Sequence, residues 1–278
     1  MNAKIIADSC CDLTEDMKKE LNAVTVPLLI NVGNQTIVDD ETLDVKYLLK
    51  TISESKEAAK TNCPSPEEFL KRFRESAISF CVTLSSKLSG SHNSALVAKE
   101  LLEEEDKSKK VHVFDSLSAS AGEVLVVLKI KEFIDKNLDF DTIVDKVTTF
   151  ISGMKTYFVL DNLETLIKNG RIKKLAGLIA AALNLRPIMG SDGHGNIKLY
   201  EKIRGTQKAL IRLADMIGEQ CENLKERILV IAHCNNEKRA NFFKQEVKKR
   251  HNFKDIIIVE TRGISTVYAN DGGLVIAY

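Results

Sequence analysis

The feature that most constrains the fold is the alternation of short apolar runs with longer amphipathic segments. Apolar runs predict strands at residues 4–7, 24–30, 78–84 and 111–114, and the segments between most of them have the spacing of helices. Strands that alternate with helices in this way are typical of α/β architecture. The sequence therefore predicts an α/β fold.

The length of the chain predicts two domains. Its 278 residues exceed the usual size of a single hydrophobic core. An amphipathic segment at 141–152 ends at Gly153, a residue type common just beyond helix ends. We therefore place a domain boundary there, with residues 1–153 in an N-terminal α/β domain and residues 154–278 in a C-terminal α/β domain.

Charge and composition exclude several classes of partner. Lys and Arg number 40 against 39 Asp and Glu, so no net field favours nucleic acid. The chain also lacks Trp, which argues against a base-stacking surface. The N-terminus turns polar too early for a signal peptide, and no apolar run approaches the ~18 residues of a membrane span. We expect a cytoplasmic protein that does not bind nucleic acid.

The cysteines do not indicate a metal site. None of the six forms a CxxC pair, and their spacings match no zinc pattern. Cys10, Cys11 and Cys63 occupy loops that are able to converge, but no fourth ligand accompanies them. The sequence predicts reduced thiols and no bound metal.

Two hydroxyl-rich loops are candidates for anion binding. They are Thr61-Asn62-Cys63-Pro64-Ser65-Pro66 and the segment at 85–95, which holds five serines and an asparagine within its first ten residues. Each opens a predicted helix, where free N–H groups and the positive end of the dipole favour an anion. Together they predict a site for one carboxylate or phosphate.

Helix capping accounts for some of these hydroxyls. Ser65, followed by Pro66 and Glu68, has the pattern of a capping box, which would occupy the Ser65 side chain. Thr61 lies outside that box and is free to face a ligand. In the second loop, Ser89 and Gly90 open the helix, and Gly90 would let the backbone approach a ligand closely. Thr61 and Ser89 are the predicted pair.

Catalytic alternatives have weaker support in the sequence. A serine nucleophile would need a base such as His92 or His233, and the chain has no GxSxG motif. The glycine-rich segment at 190–195 joins two predicted strands and opens no helix, so it is a hairpin turn and not a dinucleotide loop.

Basic loops and an apolar segment mark the second half. The loops at 168–174 and 202–206 are either solvated surface or docking sites for an acidic partner or a phosphate. Residues 175–183 form an almost continuous apolar surface, typical either of core or of a wall around an apolar tunnel.

The combination of motifs resembles the DegV family. The match runs in order over nearly the whole chain and is far more specific than any single piece. It rests on the following segments: Asp8-Ser9 with Asp12-Leu13, Thr61 with Pro64-Ser65-Pro66, Ser85-Ser86 with Leu88-Ser89-Gly90-Ser91, Asp115-Ser116, Leu166-Ile167-Lys168-Asn169-Gly170-Arg171-Ile172, Arg186-Pro187, Asp192-Gly193 and Arg204.

The resemblance implies a DegV-like fold, with an N-terminal Rossmann-like parallel sheet, a C-terminal α/β domain and one long-chain fatty acid buried between them. It implies no cofactor and no catalytic activity of the chain's own. An ATP-dependent fatty acid kinase subunit would phosphorylate the presented carboxylate, with transient membrane contact. The residues carried over are Thr61 and Ser89 for the carboxylate, with Asn270 at the matching C-terminal position, and Arg171 and Arg204 for the kinase or phosphate step. Gly90, at the helix start, completes the predicted carboxylate site, and Leu175, Leu178, Ile179 and Leu183 of the apolar segment are the predicted wall of the acyl tunnel.

The sequence departs from the family pattern in two places. The C-terminal segment usually reads His-Thr-Gly-x-Gly, and here the matching stretch is Asn270-Asp271-Gly272-Gly273. Asn donates a hydrogen bond but does not carry a positive charge near neutral pH. Asn62-Cys63 also replaces the usual Ser-Gln. Two alternatives remain open: an α/β enzyme acting on a small phosphorylated metabolite, and a regulatory interaction module based on the basic loops.

Overall fold

The described part of the chain forms three sheets and the helices that cover them. The structure is a computed structural model that describes residues 3–172, 177, 185–220 and 223–278. Its strands are β1 Lys4–Asp8, β2 Ala23–Val26, β3 Leu29–Val32, β4 Gln35–Val38, β5 Lys60–Asn62, β6 Ile78–Thr83, β7 Lys110–Asp115, β8 Thr156–Val159, β9 Leu185–Ser191, β10 Ile197–Arg204, β11 Ile228–His233, β12 Asp255–Glu260 and β13 Leu274–Ala277.

Helices connect most of these strands. Within the described ranges, no helix combines the length and apolar character that crossing a bilayer requires. The helices are α1 Glu15–Glu20, α2 Val45–Glu54, α3 Pro66–Arg74, α4 Ser91–Glu105, α5 Ala121–Asp135, α6 Phe140–Gly153, α7 Glu164–Lys168, α8 Thr206–Gln220, α9 Glu237–Lys248 and α10 Gly263–Ala269, with a 3₁₀ turn at Leu224–Glu226.

The first sheet confirms the predicted α/β architecture. Its order is β2-β1-β6-β7, and every neighbouring pair is parallel. Alternate residues face opposite sides: Ile6 and Cys81 pack towards α3 and α4, while Ile5 and Phe80 pack towards α5. Because the strands are parallel, the loops that follow β1, β6 and β7 meet at one edge of the sheet. That edge carries the second hydroxyl-rich loop.

The second sheet is mixed and belongs to the C-terminal half. Its order is β10-β9-β8-β13-β11-β12, in which only β11 and β12 pair in parallel among the described strands. Helices α8 and α9 cover one face, where Leu229 and Ile231 are buried. The other face packs against α5 through Val230 and Ala232.

Helix α5 therefore lies between the two large sheets. Its residues 121–127 are all buried, in agreement with a helix that is apolar on most sides. It contacts β1 and β6 on one side and β11 and β13 on the other. Residues of both halves thus share one apolar cluster, and the division at Gly153 stays a prediction.

A small third sheet corrects the prediction of one strand at 24–30. The chain leaves the first sheet after Val26 and enters the antiparallel sheet β4-β3-β5 at Leu29. Pro27 stands at the break, because proline has no N–H to continue the ladder. Thr61, predicted to lie in a loop, is on β5 and pairs with Ile30.

The predicted capping box at Ser65 is wrong in its side-chain contact. Helix α3 does begin at Pro66, with Ser65 as its N-cap residue, but the Ser65 hydroxyl makes no capping hydrogen bond. The prediction of the acyl-tunnel residues is not tested, because Leu175, Leu178, Ile179 and Leu183 lie outside the described residues.

Candidate functional site

A predominantly apolar cavity lies where the loop edge of the first sheet meets the second sheet and α10. It leaves about 880 Å³ free of protein atoms, a volume that includes space open to solvent. Both halves of the chain contribute to its wall. Its apolar lining residues are Leu28, Leu84, Leu88, Leu117, Ala119, Phe158, Leu160, Leu166, Ile197, Ile264, Ala269 and Val275.

Hydroxyl groups and one cation line part of this cavity. Thr61 Oγ1 lies 2.8 Å from the hydroxyl oxygen of Tyr268, so one of them donates to the other. The Arg171 guanidinium lies 5.8 Å from the centre of the Tyr268 ring, within the range of a cation–π contact. Its Nε donates to the carbonyl of Leu88, 3.1 Å away. Among the described lining residues, Arg171 is the only one with a permanent charge.

Ser89 both shapes its loop and lines the cavity. Its Oγ accepts a hydrogen bond from the backbone N–H of Ser91, the first residue of α4, at 3.2 Å. The second contact of the hydroxyl, towards Ser91 Oγ, is long at 3.5 Å. A hydroxyl with one short contact keeps capacity to bind a ligand oxygen. Ser89 therefore stabilises the start of α4 and is still able to contact a ligand in the cavity.

The structure brings Thr61, Ser89 and Arg171 to one cavity and places three other predicted residues elsewhere. Gly90 is exposed, and a Cβ at its position would lie 3.0 Å from Cys63 Sγ, so its close approach is to that loop. Asn270 lines a separate groove between α2 and α7, and its amide donates to the Tyr268 carbonyl at 3.4 Å. Arg204 is exposed at the end of β10.

Sequence reasoning missed Tyr268. It lies in the last turn of α10, two residues before the segment that the family pattern marks. No local spacing distinguishes it from an ordinary core aromatic, because its contact with Thr61 spans 207 residues of sequence. The resemblance to the family, applied to the neighbouring Asn270, was the one signal near this position.

Buried carboxylates hold the loops that form the site. Asp8 accepts hydrogen bonds from the backbone N–H groups of Leu84 at 2.9 Å and Cys10 at 3.1 Å, and so ties the loop after β6 to the loop after β1. Asp12 accepts from Ser120 Oγ at 2.5 Å and Arg262 N at 2.6 Å. Burial raises the pKa of Asp8 to about 6 and that of Asp12 to about 7.

A third buried carboxylate fixes α10, the helix that carries Tyr268. The two oxygens of Asp39 accept from the first N–H groups of that helix, Gly263 N at 2.8 Å and Ile264 N at 2.9 Å. Burial raises the pKa of Asp39, although these two hydrogen bonds oppose the shift. The contact needs glycine at 263, because a Cβ there would lie 2.4 Å from Asp39 Oδ1.

An Asp39→Asn substitution is expected to lower the free energy of unfolding by about 1–3 kcal/mol. The amide oxygen would still accept from one N–H of α10, but the NH₂ group would face the other N–H and leave it unpaired. Urea denaturation measures the change. Asp40→Asn, at a more accessible position where the carboxylate accepts from Thr42, is the matched control and should change stability much less; equal losses would contradict the capping role.

One group of side chains in the described residues is close enough to share a cation. The acceptor atoms of Asp8, Cys10 and Glu123 all lie within 4.8 Å of one another and are buried. Burial, with the nearby Asp8 charge, raises the pKa of Glu123 well above its usual value. Burial likewise raises the pKa of the Cys10 thiol. Ligands must lose their protons to bind a metal, so these shifts favour protons at this position.

Neither histidine considered as a catalytic base has a serine as the partner of its Nδ1 atom. His92 Nδ1 lies 3.1 Å from Thr83 Oγ1, and burial lowers its pKa. His233 Nδ1 accepts from the backbone N–H of Asn236 at 3.3 Å. The serine-hydrolase alternative therefore has no support from these contacts.

Comparison with known proteins agrees with the fold. A family model described as an uncharacterised protein of the DegV family matches residues 2–278. A DegV domain-containing protein of Streptococcus pneumoniae is 36% identical over 280 residues, which cover 100% of this chain and 99% of the relative.

Two solved structures extend the comparison. A DegV family protein of Ruminococcus gnavus, refined with vaccenic acid, is 44% identical, with a TM-score of 0.95 and 99% of each chain covered. The fatty acid kinase (Fak) B3 protein of Streptococcus pneumoniae, loaded with linoleic acid, is 36% identical, with a TM-score of 0.91. The similarity to that protein covers 100% of this chain and 99% of the other.

Proposed function

The chain belongs to the DegV family, and on that premise we propose that it binds one long-chain fatty acid in the cavity between its sheets. The observation that carries the proposal is an apolar cavity whose wall includes Thr61, Ser89, Tyr268 and Arg171. A ligand suited to it has a long apolar part and one small anionic group. The ligands of the R. gnavus and S. pneumoniae relatives have this chemistry.

The apolar wall supplies most of the binding free energy in this proposal. Each buried methylene contributes about 0.8 kcal/mol. A chain of roughly sixteen carbons therefore needs few polar contacts to be held. The ionised carboxylate, by contrast, pays a large desolvation cost unless hydrogen bonds and a positive charge compensate it.

We place the carboxylate at the hydroxyl groups of Thr61, Tyr268 and Ser89. The hydrogen bond of 2.8 Å between Thr61 and Tyr268 uses only one of their two hydroxyl protons, which leaves the other free to donate to the ligand. Arg171 adds a permanent positive charge beside the Tyr268 ring. Gly90 and Asn270 are not part of this proposed site, because they lie outside the cavity.

In this proposal the protein is a carrier without catalytic activity of its own. It presents the carboxylate to an ATP-dependent fatty acid kinase subunit, with transient membrane contact during loading or release. The similarity to the Fak B3 protein over the whole chain supports this role. Arg204, exposed at the end of β10, is available to a docked partner or to a phosphate group.

The delipidated protein is expected to bind one equivalent of palmitate or oleate and to bind a fatty alcohol of the same length more weakly. The alcohol keeps the apolar contacts and loses the charge-assisted hydrogen bonds. Native mass spectrometry gives the stoichiometry, and a competition titration gives the affinities. A protein that ignores both ligands but binds small phosphorylated metabolites would instead support the enzyme alternative.

A further inference from the structure

We propose that Ser118 and Thr156 form a second polar subsite in the cavity, which binds a hydroxyl group on the acyl chain. The inference rests on the proposed function, because it concerns the same cavity. It adds hydroxylated long-chain acids to the ligands that the cavity favours.

The two side chains form a buried hydroxyl pair in the cavity wall. Ser118 is 4% exposed and Thr156 is 7% exposed, and both line the cavity. Their hydroxyl oxygens are 2.7 Å apart, a direct hydrogen bond. The further contact of Ser118 Oγ, with the carbonyl of Ala119, is long at 3.5 Å.

This pair has unused capacity to accept hydrogen bonds. Each hydroxyl has one donor hydrogen and two acceptor lone pairs, and the mutual bond uses a single lone pair. A methylene chain offers no hydrogen-bond donor to the remaining lone pairs. A hydroxyl on the chain does offer one, so the pair favours an oxygenated chain over a plain one.

The subsite lies away from the carboxylate position. Thr156 is the first residue of β8, and Leu160 follows that strand immediately. Four residues of extended strand span about 13 Å. Leu160 belongs to the same apolar cluster as Tyr268. Thr156 lies at the opposite end of β8 from Leu160. A ligand whose carboxylate is at Tyr268 would therefore meet the hydroxyl pair along its chain.

The backbone around Ser118 is fixed in an uncommon conformation. Leu117, one residue before Ser118, and Ser120, two residues after it, have positive φ values of 51° and 56°, which residues other than glycine rarely adopt. Ser118 O accepts from Ser85 N at 2.7 Å. A Cβ at position 122 would lie 1.9 Å from Ser118 Oγ, so only glycine admits the hydroxyl there. Backbone strain of this kind is retained where the surroundings enforce it, often at functional sites.

A neighbouring serine provides the matched control. Ser191 also lines the cavity, but its hydroxyl donates to the Leu117 carbonyl at 3.0 Å and accepts from Gly193 N at 3.2 Å. Its proton and one of its two lone pairs are therefore engaged by the protein. Ser191→Ala removes a cavity hydroxyl without removing the proposed subsite.

The test measures affinities for stearate and for positional isomers of hydroxystearate, in the natural chain and in a Ser118→Ala, Thr156→Val double variant. For at least one isomer, the preference over stearate is expected to fall about three- to tenfold in the double variant. Thr156→Ser, which keeps the hydroxyl, and Ser191→Ala should preserve the preference.

Two results overturn the subsite. One is a preference that is the same in the natural chain and in the double variant for every isomer tested. The other is an equal loss of preference in Ser191→Ala. Failure of the proposed function is distinguishable, because in that case the natural chain would not bind stearate at all.

Discussion

A Thr61→Val, Ser89→Ala double variant is expected to bind fatty acid about a hundredfold or more weakly than the natural chain. A hydrogen bond to a charged group is worth about 1.5–3 kcal/mol, so the loss of two gives a change of this size. The substitutions also leave the carboxylate in an apolar cavity with only Tyr268 and Arg171 to compensate its charge. Titration of the delipidated variant, with native mass spectrometry of the protein as purified, measures the loss.

The control for this prediction is a double variant that changes the same residue types outside the cavity. Ser65→Ala and Thr36→Val alter exposed positions, one before α3 and one on β4. This control should bind fatty acid as the natural chain does. Binding that survives in the cavity variant would show that the carboxylate lies elsewhere. Circular dichroism of both variants shows whether they remain folded, so that a loss of ligand binding is distinguished from unfolding.

Local pattern was sufficient to predict most of the first sheet. The strands at 4–7, 78–84 and 111–114 each appear within one residue of their predicted bounds. Each is an apolar run between polar loops, and each is buried on both faces of a parallel sheet, where such runs are required. The fold class followed from this regularity, and the resemblance to the family added the N-terminal parallel sheet.

Features that depend on distant contacts were not predictable in the same way. The apolar run at 24–30 predicted one strand, but β3 separates from it and pairs with β4 and with β5, which lies some thirty residues later in the sequence. The Ser65 pattern was correct for the helix start and wrong for the hydroxyl, since side-chain rotamers depend on packing that the sequence does not state.

The site was predictable in part for the same reason. Thr61 and Ser89 stood out because hydroxyl-rich helix starts are a local signal. Tyr268 did not, because its role comes from the position of α10, which Asp39 fixes from more than 220 residues away. Asn270 was assigned by its place in the family motif, and in the structure it lines the groove between α2 and α7.

The buried carboxyl groups around these loops should also make stability depend on pH. Glu123 is fully buried, and burial together with the nearby Asp8 charge raises its pKa. A carboxyl whose pKa is higher in the folded state than in the unfolded chain stabilises the fold while it is protonated. That contribution is complete below the unfolded pKa of ~4.3. It is lost as the pH rises towards the folded pKa, by about 1.4 kcal/mol for each pH unit.

Glu123→Gln removes the titrating group and keeps its shape. Relative to the natural chain, this variant is therefore expected to become more stable as the pH increases from 5 to 8. The difference should grow by on the order of 1 kcal/mol or more over that range. Asp8 and Asp12, with pKa values of about 6 and about 7, lower the stability of both proteins over the same range, and because both interact with Glu123, part of the difference comes from their coupling to it. Urea denaturation at each pH measures the difference.

Glu132→Gln is the matched control on the same helix. Burial alone would raise the pKa of Glu132, but hydrogen bonds from Lys129 and Lys136 lower it to about 2. Its contribution is lost only as the pH falls below the unfolded pKa, so between pH 5 and 8 its curve should run parallel to that of the natural chain. If the Glu123→Gln curve is parallel as well, the Glu123 carboxyl does not retain its proton at neutral pH. A negative charge would then be present between the two sheets, and binding of a cation by Glu123, Asp8 and Cys10 would have to be considered.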